Sequence, residues 1–545
     1  MDNLKIIQQR WRWQQQQKQH RLAQGRLTAE EAAFQLSAKG HIPLAAIPGH
    51  KDRPDIAIPT DAGGHLLLVA PPDSGWRDQL AMTLYHWPAA ALVVDPGGRL
   101  YQQTGYFRET VWGKVYTVPG YAFNLVHYYR FWDSEPARRL HHFLVKTSPP
   151  EAEDWLLDHS AVLVEAIGYY GYHYKRNPLH LLLDAARTDL FQVLEALNTV
   201  DELDYLVTWF SMDLPPWEAF YDEDVRHSFA LFRHQMARYQ HLYGSFFIDN
   251  TINTIPKTWV EEKGSLYLTF SPAEMADLSG LAAAIVDGIH RYHLTHGGYE
   301  PLLLIIDAAF ARVLPPIEQL LVEAAEYNIT VILTADSLSA LNNLAESGDG
   351  AALAGRFAHQ VWYPPHDPQT AAHMAWLYGT ELWEAGKPPR QLLSPEEPMA
   401  WPRDRVLVYT RRERPYRFLA ERVTIPADLT IRPAPVPPKS PSLPRRPDSW
   451  LPLHVLAMLL PPRQKGPKMQ KFLLEVVQSH KDDEDSAAEE RSPSDQLEKN
   501  KTPHTADGDD IQPSLPLFSP IEDDQPDASS EEPEPPSQPR KTRLR

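Results

Sequence analysis

Short apolar runs that alternate with helix-length segments are the feature that most limits how this chain can fold. Such runs predict buried strands, and strands separated by helices predict a parallel sheet with crossover connections. A further run, RVLVYT at 405–410, predicts a last strand. The pattern therefore predicts an α/β fold. Its strands are expected at 65–70 (HLLLVA), 90–95 (AALVVD), 114–120 (KVYTVPG), 264–271 (GSLYLTFS), 301–310 (PLLLIIDAAF) and 328–337 (NITVILTADS).

A stretch of consecutive helical segments interrupts this alternation. It contains EDWLLDHSAVLVEAIGYYGYHY and NPLHLLLDAARTDLFQVLEAL, with no strand pattern between them. We predict an inserted all-helical domain at 151–243, which divides the α/β domain into 51–150 and 244–430. Residues 1–50 are predicted to be a helical segment, in which Thr28 is an N-cap and Gly40 a stop signal.

The composition changes after Ile431. Residues 431–545 contain 21 of the 51 prolines, and residues 481–545 contribute −10 to the formal net charge of −18. Such sequence buries too little apolar surface to offset its ordering entropy, so a Pro-rich and then acidic disordered tail is predicted at 431–545. Two apolar stretches interrupt this tail. WLPLHVLAMLLPP (450–462) favours a short helix or a docking segment. SLPLFSP (514–520) is interpreted as linker, with a partner motif as the alternative.

Charge and residue usage exclude several classes of protein. The mildly acidic body argues against an open nucleic-acid-binding surface, although a local basic groove or ring lumen stays open as an alternative. The absence of cysteine excludes disulfides and thiolate zinc sites. Neither a signal peptide nor an apolar run long enough to cross a bilayer is recognisable, so we expect a cytoplasmic protein without a membrane span of its own, peripheral to a membrane only through partners.

The loop after the first predicted strand has the spacing of a phosphate-binding loop, G-x-x-x-x-G-K-[ST]. In such a loop the backbone amides surround the phosphates, the lysine reaches the β/γ oxygens and the hydroxyl binds magnesium. Only the second glycine of the pattern is kept here. The loop consists of Ala70, Pro71, Pro72, Asp73, Ser74, Gly75, Trp76 and Arg77.

The surroundings of this loop resemble the TraG/TraD-type coupling proteins of conjugation and type IV secretion. The segments His65–Gly75, Trp87–Glu109 and Gly113–Val126 follow three elements of that family in order and spacing, and the resemblance extends over roughly residues 40–430. It implies a RecA/FtsK-like P-loop NTPase domain with an inserted helical domain. Family members assemble as hexameric rings around DNA, and many carry a membrane-spanning N-terminus that is not recognisable here.

The departures from the family pattern lie at the positions that carry the chemistry of hydrolysis. Trp76 stands at the lysine position and Arg77 at the hydroxyl position. Asp307 matches the Walker B aspartate, Ala308 replaces the catalytic glutamate, and Asp336 replaces the sensor glutamine beside a matching Ser337. In the element D-x-K-G-E, Asp95 and Gly98 are kept, Gly97 replaces the lysine and Arg99 the acid.

These replacements predict that hydrolysis is lost, because phosphoryl transfer depends on positioned charges and metal ligands. We expect Trp76 to fill the vacated pocket and Asp307 to act as a helix cap or ion-pair partner. No cofactor is expected, and ATP with magnesium is expected only if Arg77 replaces the lysine charge. No metal site is predicted, since His290, His293 and His296 on one helical face are better explained as packed or solvated histidines.

Three functions follow from these observations. The favoured one is a pseudo-ATPase that acts as a scaffold or adaptor, with type IV secretion or conjugation components as partners, among them an active coupling ATPase in a homo- or hetero-hexamer. The second is a divergent but active DNA-translocating ATPase. The third is an interaction module that keeps only the fold, and DNA binding stays open in the first two.

Overall fold

The computed structural model describes residues 15–16, 18–21, 25–35, 42–47, 56–58, 64–129, 134–145, 154–242, 255–296, 300–381, 390–411, 415–426 and 434. All of them belong to the first of two units, Met1–Leu473. The second unit, Leu474–Arg545, lies outside the described residues, and so does nearly all of the predicted tail. What the sequence indicates for residues 435–545 therefore stays a prediction.

A mixed sheet organises the described residues. The strands are β1 (Ile42–Ala45), β2 (Ile56–Ile58), β3 (Leu66–Val69), β4 (Ala90–Val94), β5 (Val115–Val118), β6 (Ser265–Leu268), β7 (Leu302–Asp307), β8 (Ile329–Ala335), β9 (His359–Trp362), β10 (Thr380–Glu381), β11 (Arg390–Gln391), β12 (Arg405–Arg411) and β13 (Pro415–Glu421). Within the described ranges, nine of them form one sheet in the order β13-β12-β9-β3-β8-β7-β4-β6-β5. β1 pairs with β2, and β10 with β11, in separate antiparallel pairs.

The centre of the sheet is parallel, as the alternating pattern predicts. β3 pairs with β8, β8 with β7 and β7 with β4, all in parallel register. The sequence predicts that Val69, Val94, Ile306 and Leu333 lie on adjacent parallel strands, and the structure confirms this in the order β3-β8-β7-β4. The loops that follow these strands therefore meet at one edge of the sheet, where α/β proteins usually bind ligands.

One edge of the sheet differs from the prediction. β12 pairs antiparallel with β9, and β13 pairs antiparallel with β12. The prediction that 405–410 holds the last strand is wrong, because 415–421 returns as a hairpin partner. The strand β9 was also not recognised from the sequence, and neither was β1, which lies inside the predicted N-terminal helical segment.

Helices cover the sheet and form the segment that interrupts it. They are α1 (Ala29–Gln35), α2 (Trp76–His86), α3 (Arg99–Val111), α4 (Ser134–Val145), α5 (Asp154–His173), α6 (Pro178–Ala185), α7 (Leu190–Leu197), α8 (Asp204–Phe210), α9 (Pro216–Ala219), α10 (Glu223–Ala237), α11 (Pro272–Thr295), α12 (Ala308–Ala311), α13 (Ile317–Glu326), α14 (Leu338–Asn342), α15 (Gly350–Ala354), α16 (Pro368–Tyr378) and α17 (Glu396–Met399). Single 3₁₀ turns lie at Leu125–His127, Asp201–Leu203, Gln240–Leu242 and Lys257–Trp259. Among the described residues, no helix is both long enough and apolar enough to cross a membrane.

The helical run begins earlier than expected. α4 starts at Ser134, and α4 to α10 follow one another without a strand in the described parts of 134–242. The predicted bounds of the inserted domain, 151–243, stay a prediction. At the N-terminus, the expected cap at Thr28 is observed, because its hydroxyl accepts from the Glu31 amide while the Glu31 carboxylate accepts from the Thr28 amide.

Alternate side chains of the central strands face two cores. Leu67 and Val69 of β3 belong to a large cluster that includes the helical run, whereas Leu66 and Leu68 belong to a second cluster with α2 and α3. Burial on both faces explains why these strands are continuously apolar rather than alternating. The sheet therefore forms a rigid base for the loops at its carboxyl edge.

Candidate functional site

The loop between β3 and α2 lies at the carboxyl edge of the sheet. Its first amide, on Ala70, donates to the carbonyl of Ala335 at the end of β8 (2.8 Å). Further on, both the amide and the hydroxyl of Ser74 donate to the carbonyl of Pro71 (3.1 and 2.8 Å). Pro71 and Pro72 have no N–H to donate. The loop thus uses part of its donor capacity on its own turn and lacks two of the amides with which a phosphate is normally bound.

Gly75 joins this loop to α2 in a conformation that favours glycine. Its φ of 79° lies in the left-handed region, and it stands at the N-cap position of the helix. This keeps the strand, turn and helix geometry of a phosphate-binding loop, although the loop sequence is changed.

The position expected for the lysine is occupied by a stacked pair of side chains. Trp76 is half-buried and packs against the core cluster on the α2 face. The guanidinium of Arg77 lies over its indole ring, 4.7 Å from the ring centroid. Burial lowers the pKa of Arg77; repulsion by Arg99 acts in the same direction, and the attraction of Asp95 opposes both. The cation at this site therefore lies against an aromatic face.

Asp307 ends β7 and caps the short helix that follows. Its Oδ1 accepts a hydrogen bond from the amide of Phe310 (2.7 Å), so that the carboxylate serves as the N-cap of α12. The next residue, Ala308, is buried and has no polar side-chain atom. The expected capping role of Asp307 is thus observed in the structure.

Asp336 and Ser337 follow β8 and are also engaged locally. The Ser337 hydroxyl donates to Asp336 Oδ1 (3.0 Å), and the same hydroxyl accepts from the amide of Ala340 (3.3 Å) as the N-cap of α14. The amide of Leu338 donates to the Thr370 hydroxyl (2.8 Å). Asp336 itself is exposed and adds a negative charge to the edge of the sheet.

A cavity of about 280 Å³ opens between these loops. Its lining includes Ala70, Pro72, Trp76, Arg77, Asp307, Ala308, Thr334, Ala335 and Asp336, together with Ala309, Arg312 and Ala340. The structure thus brings together residues from all three predicted elements. The remaining predicted residues, Pro71, Asp73, Ser74, Gly75 and Ser337, belong to the same loops but do not line it. With two carboxylates and two guanidinium groups, the lining is close to neutral, whereas a triphosphate site needs a cationic one.

The element after β4 contains a turn that depends on two glycines. Gly97 and Gly98 both have positive φ angles, 83° and 68°. Asp95 Oδ2 accepts from the Tyr101 amide (2.8 Å) at the start of α3, and burial raises the pKa of Asp95 despite this and neighbouring backbone bonds. Gly97 stands where the family pattern has a lysine, and its backbone has a conformation that a lysine would adopt only under strain.

Arg422, immediately after β13, is a site residue that sequence reasoning missed. Its Nη1 donates to the Gly75 carbonyl (3.3 Å) and to Asp78 Oδ2 (3.1 Å). A Cβ atom on Gly75 would lie 2.3 Å from the same Nη1. The weak alternation of PYRFLAE at 415–421 signals a strand that ends just before Arg422, but it does not indicate the contact of Arg422 with Gly75. Arg422 thus packs directly on the phosphate-loop position.

The three histidines of α11 have separate environments. Burial lowers the pKa of His290 to about 4, and its Nδ1 lies 3.9 Å from Glu323. The Nε2 of His293 lies 3.1 Å from the Tyr327 carbonyl, and His296 stacks on Tyr292. Within the part of the chain that the structure describes, no group of three or more histidine and carboxylate side chains is arranged to bind a metal ion.

Solved structures of a bacterial coupling protein have the same fold. The chain is similar to the bacterial conjugative coupling protein TrwB in its sulphate-bound trigonal form, with a TM-score of 0.53 and 16% identity over 76% of this chain and 95% of that one. It is also similar to plasmid coupling protein TrwB bound to ADP and Mg²⁺ (TM-score 0.53, 16% identity, 72% and 92% coverage) and to an ATP analogue (TM-score 0.53, 16% identity, 75% and 96%). No family model and no curated protein matches the sequence. The predicted P-loop NTPase fold with inserted helices is thereby confirmed.

Proposed function

We propose that this chain is a nucleotidase-inactive relative of the TraG/TraD-type coupling proteins, and that it acts as a scaffold or adaptor in conjugative DNA transfer or type IV secretion. The fold shared with TrwB, over 95% of the solved TrwB chain, supports a role in the same kind of apparatus. The chemistry of the loops at the carboxyl edge supports the loss of hydrolysis.

One observation carries this proposal: the Trp76–Arg77 pair stands where a P-loop places its lysine and hydroxyl. The indole packs against the core and offers one N–H donor, so it cannot neutralise a β/γ phosphate. The Arg77 guanidinium lies over that indole, and the negative charge of Asp95 attracts it. Neither residue is a ligand for magnesium.

The opposite side of the cavity supports the same conclusion. Asp307 is engaged as a helix cap, and Ala308 cannot orient or deprotonate an attacking water. Asp336 brings negative charge to a position where a polyanion would lie. The residues present therefore do not fit a magnesium-bound triphosphate, and we assign no hydrolytic step to them.

Titration of the full-length chain with MgATP and MgADP by isothermal calorimetry tests the proposal. We expect no binding heat up to millimolar nucleotide, a range in which active enzymes of this kind are saturated. The matched variant Trp76→Lys/Arg77→Thr restores the lysine and the hydroxyl and is the positive control. Micromolar binding by the unaltered chain, lost in Arg77→Ala, would instead support the divergent ATPase.

The adaptor role is tested by assembly. Mixed with an active coupling ATPase of the same apparatus, the chain is expected to co-migrate in sedimentation velocity as a hetero-oligomer. If it sediments alone and shows no DNA binding with the steep salt dependence of phosphate contacts, the alternative of an isolated interaction module is favoured.

A further inference from the structure

One corner of the helical region exposes much aromatic surface. Trp209 is 50% exposed, Trp217 61% and Tyr221 78%, and Met212 beside them is 38% exposed. Successive turns hold these side chains in one short segment, residues 209–224. The Met212 amide donates to the Trp209 carbonyl (3.1 Å), and the Tyr221 amide to the carbonyl three residues earlier (2.9 Å). The three aromatic side chains together leave roughly 400 Å² open to solvent within one stretch of 13 residues, 209–221.

The same corner is acidic. Residues 200–225 contain eight Asp or Glu and neither Lys nor Arg. Asp213, Glu218, Glu223 and Asp224 are exposed within the same segment as the aromatic side chains. Such a surface repels nucleic acid and anionic lipid, and it attracts a segment that combines apolar side chains with positive charge.

The chain itself contains a segment of this composition. Residues 439–471 hold seven Lys or Arg and one Asp, and in their middle lies the apolar run Trp450–Leu460. This segment lies outside the described residues. The nearest described residue, Ala434, lies against Gly105 of α3. Fifteen residues separate Ala434 from Trp450, and the sixteen Cα–Cα steps between them reach up to about 55 Å when extended, roughly the diameter of a compact body of this size.

We propose that the acidic aromatic corner, residues 209–224, is the docking site for residues 445–468 of the same chain. The apolar run covers the aromatic side chains, and the flanking basic residues (Arg445, Arg446, Arg463, Lys465 and Lys468) face the carboxylates. The docked segment hides a surface that would otherwise favour self-association. This proposal does not depend on the state of the nucleotide pocket.

Cysteine cross-linking in the full-length chain tests the proposal, because the natural chain contains no cysteine. One variant carries Arg226→Cys, an exposed position beside the corner, together with Met458→Cys. The control carries Val322→Cys together with the same Met458→Cys. Val322 is 54% exposed and lies on α13, far in sequence from residues 209–224. After treatment of dilute protein with a short bismaleimide, peptide mass spectrometry should show an intrachain 226–458 cross-link at least about fivefold more abundant than the 322–458 cross-link.

High salt and charge-reversal variants test the electrostatic part of the proposed docking interaction. Raising the salt from 0.1 to 1 M shortens the Debye length from about 10 to about 3 Å, and it should lower the cross-link yield severalfold. Glu218→Lys/Glu223→Lys/Asp224→Lys should do the same at low salt. The second variant, Trp217→Ser/Tyr221→Ser, removes two of the aromatic side chains and should also lower the cross-link yield. Circular dichroism checks that each variant is folded. Equal yields at 226 and 322, or cross-links between chains only, would overturn the proposal.

Discussion

Replacing Asp307 distinguishes a structural carboxylate from a metal-binding one. In the structure its Oδ1 accepts from the Phe310 amide at 2.7 Å and caps α12. Removal of an N-cap side chain costs about 1 kcal/mol, and since about 1.4 kcal/mol corresponds to a factor of ten, local opening should become roughly fivefold more frequent. We predict that Asp307→Ala accelerates hydrogen exchange at the Phe310 amide by about that factor.

Hydrogen exchange of full-length protein, resolved by mass spectrometry over the peptide that contains α12, is the assay. Asp307→Asn is the matched control, because its amide oxygen still accepts the Phe310 hydrogen bond while the charge is removed. We expect its exchange to stay within about twofold of the unaltered chain. Exchange that is unchanged in Asp307→Ala would refute the capping role, and so would an equal acceleration in both variants.

Further substitutions test the packing at Gly75 and the burial of His290 on α11. Gly75→Ala should lower the free energy of unfolding by at least about 1 kcal/mol, because of its positive φ and the contact with Arg422; adding Arg422→Ala should recover only the steric part, as measured by thermal unfolding. Burial keeps the pKa of His290 at about 4 against 6.5 when unfolded, so stability should be complete above pH 6.5 and fall as the pH drops toward 4. His290→Gln should reduce this acid-induced loss by on the order of 1 kcal/mol at pH 5 in denaturant titrations.

The parallel centre of the sheet was predictable because its strands are buried on both faces. Continuous apolar runs such as LLLV at β3 and LLLIID at β7 have no other stable place in a chain of this composition. The glycines and small residues that follow them marked the carboxyl edge, and with it the location of the site. The resemblance over 65–126 added the order of the elements.

The antiparallel edge was not predictable in the same way. β13 reads PYRFLAE, and only Phe418 and Ala420 are buried, so its apolar signal is weak beside the charges that precede it. The contact between Arg422 and Gly75 joins residues 347 positions apart, which no local pattern indicates. Buried polar contacts between distant residues could not be predicted from the sequence for the same reason. Arg108, fully buried, donates to Ser265 Oγ (2.8 Å) and to the carbonyls of Leu84, Trp87 and Ala89.

The sequence indicated which loops hold the candidate site residues, but it indicated neither Arg422 nor the contacts inside the site. The sequence indicated which functional groups are missing, since Trp76, Ala308 and Asp336 can be read directly. It could not show that Arg77 lies over the neighbouring indole, because a long cationic side chain has many rotamers and tertiary packing selects among them. That contact is what weakens the case for an arginine in the place of the lysine.

Turnover of ATP by the full-length chain, with DNA present, tests the central claim most directly. Loss of the lysine and of the glutamate at about 3 kcal/mol each leaves roughly 10⁻⁴ to 10⁻⁵ of a normal rate, so we predict no phosphate release above the protein-free background. The variant Trp76→Lys/Arg77→Thr/Ala308→Glu/Asp336→Gln should regain measurable activity. Turnover by the unaltered chain near one per second, lost on Arg77→Ala, would contradict the account.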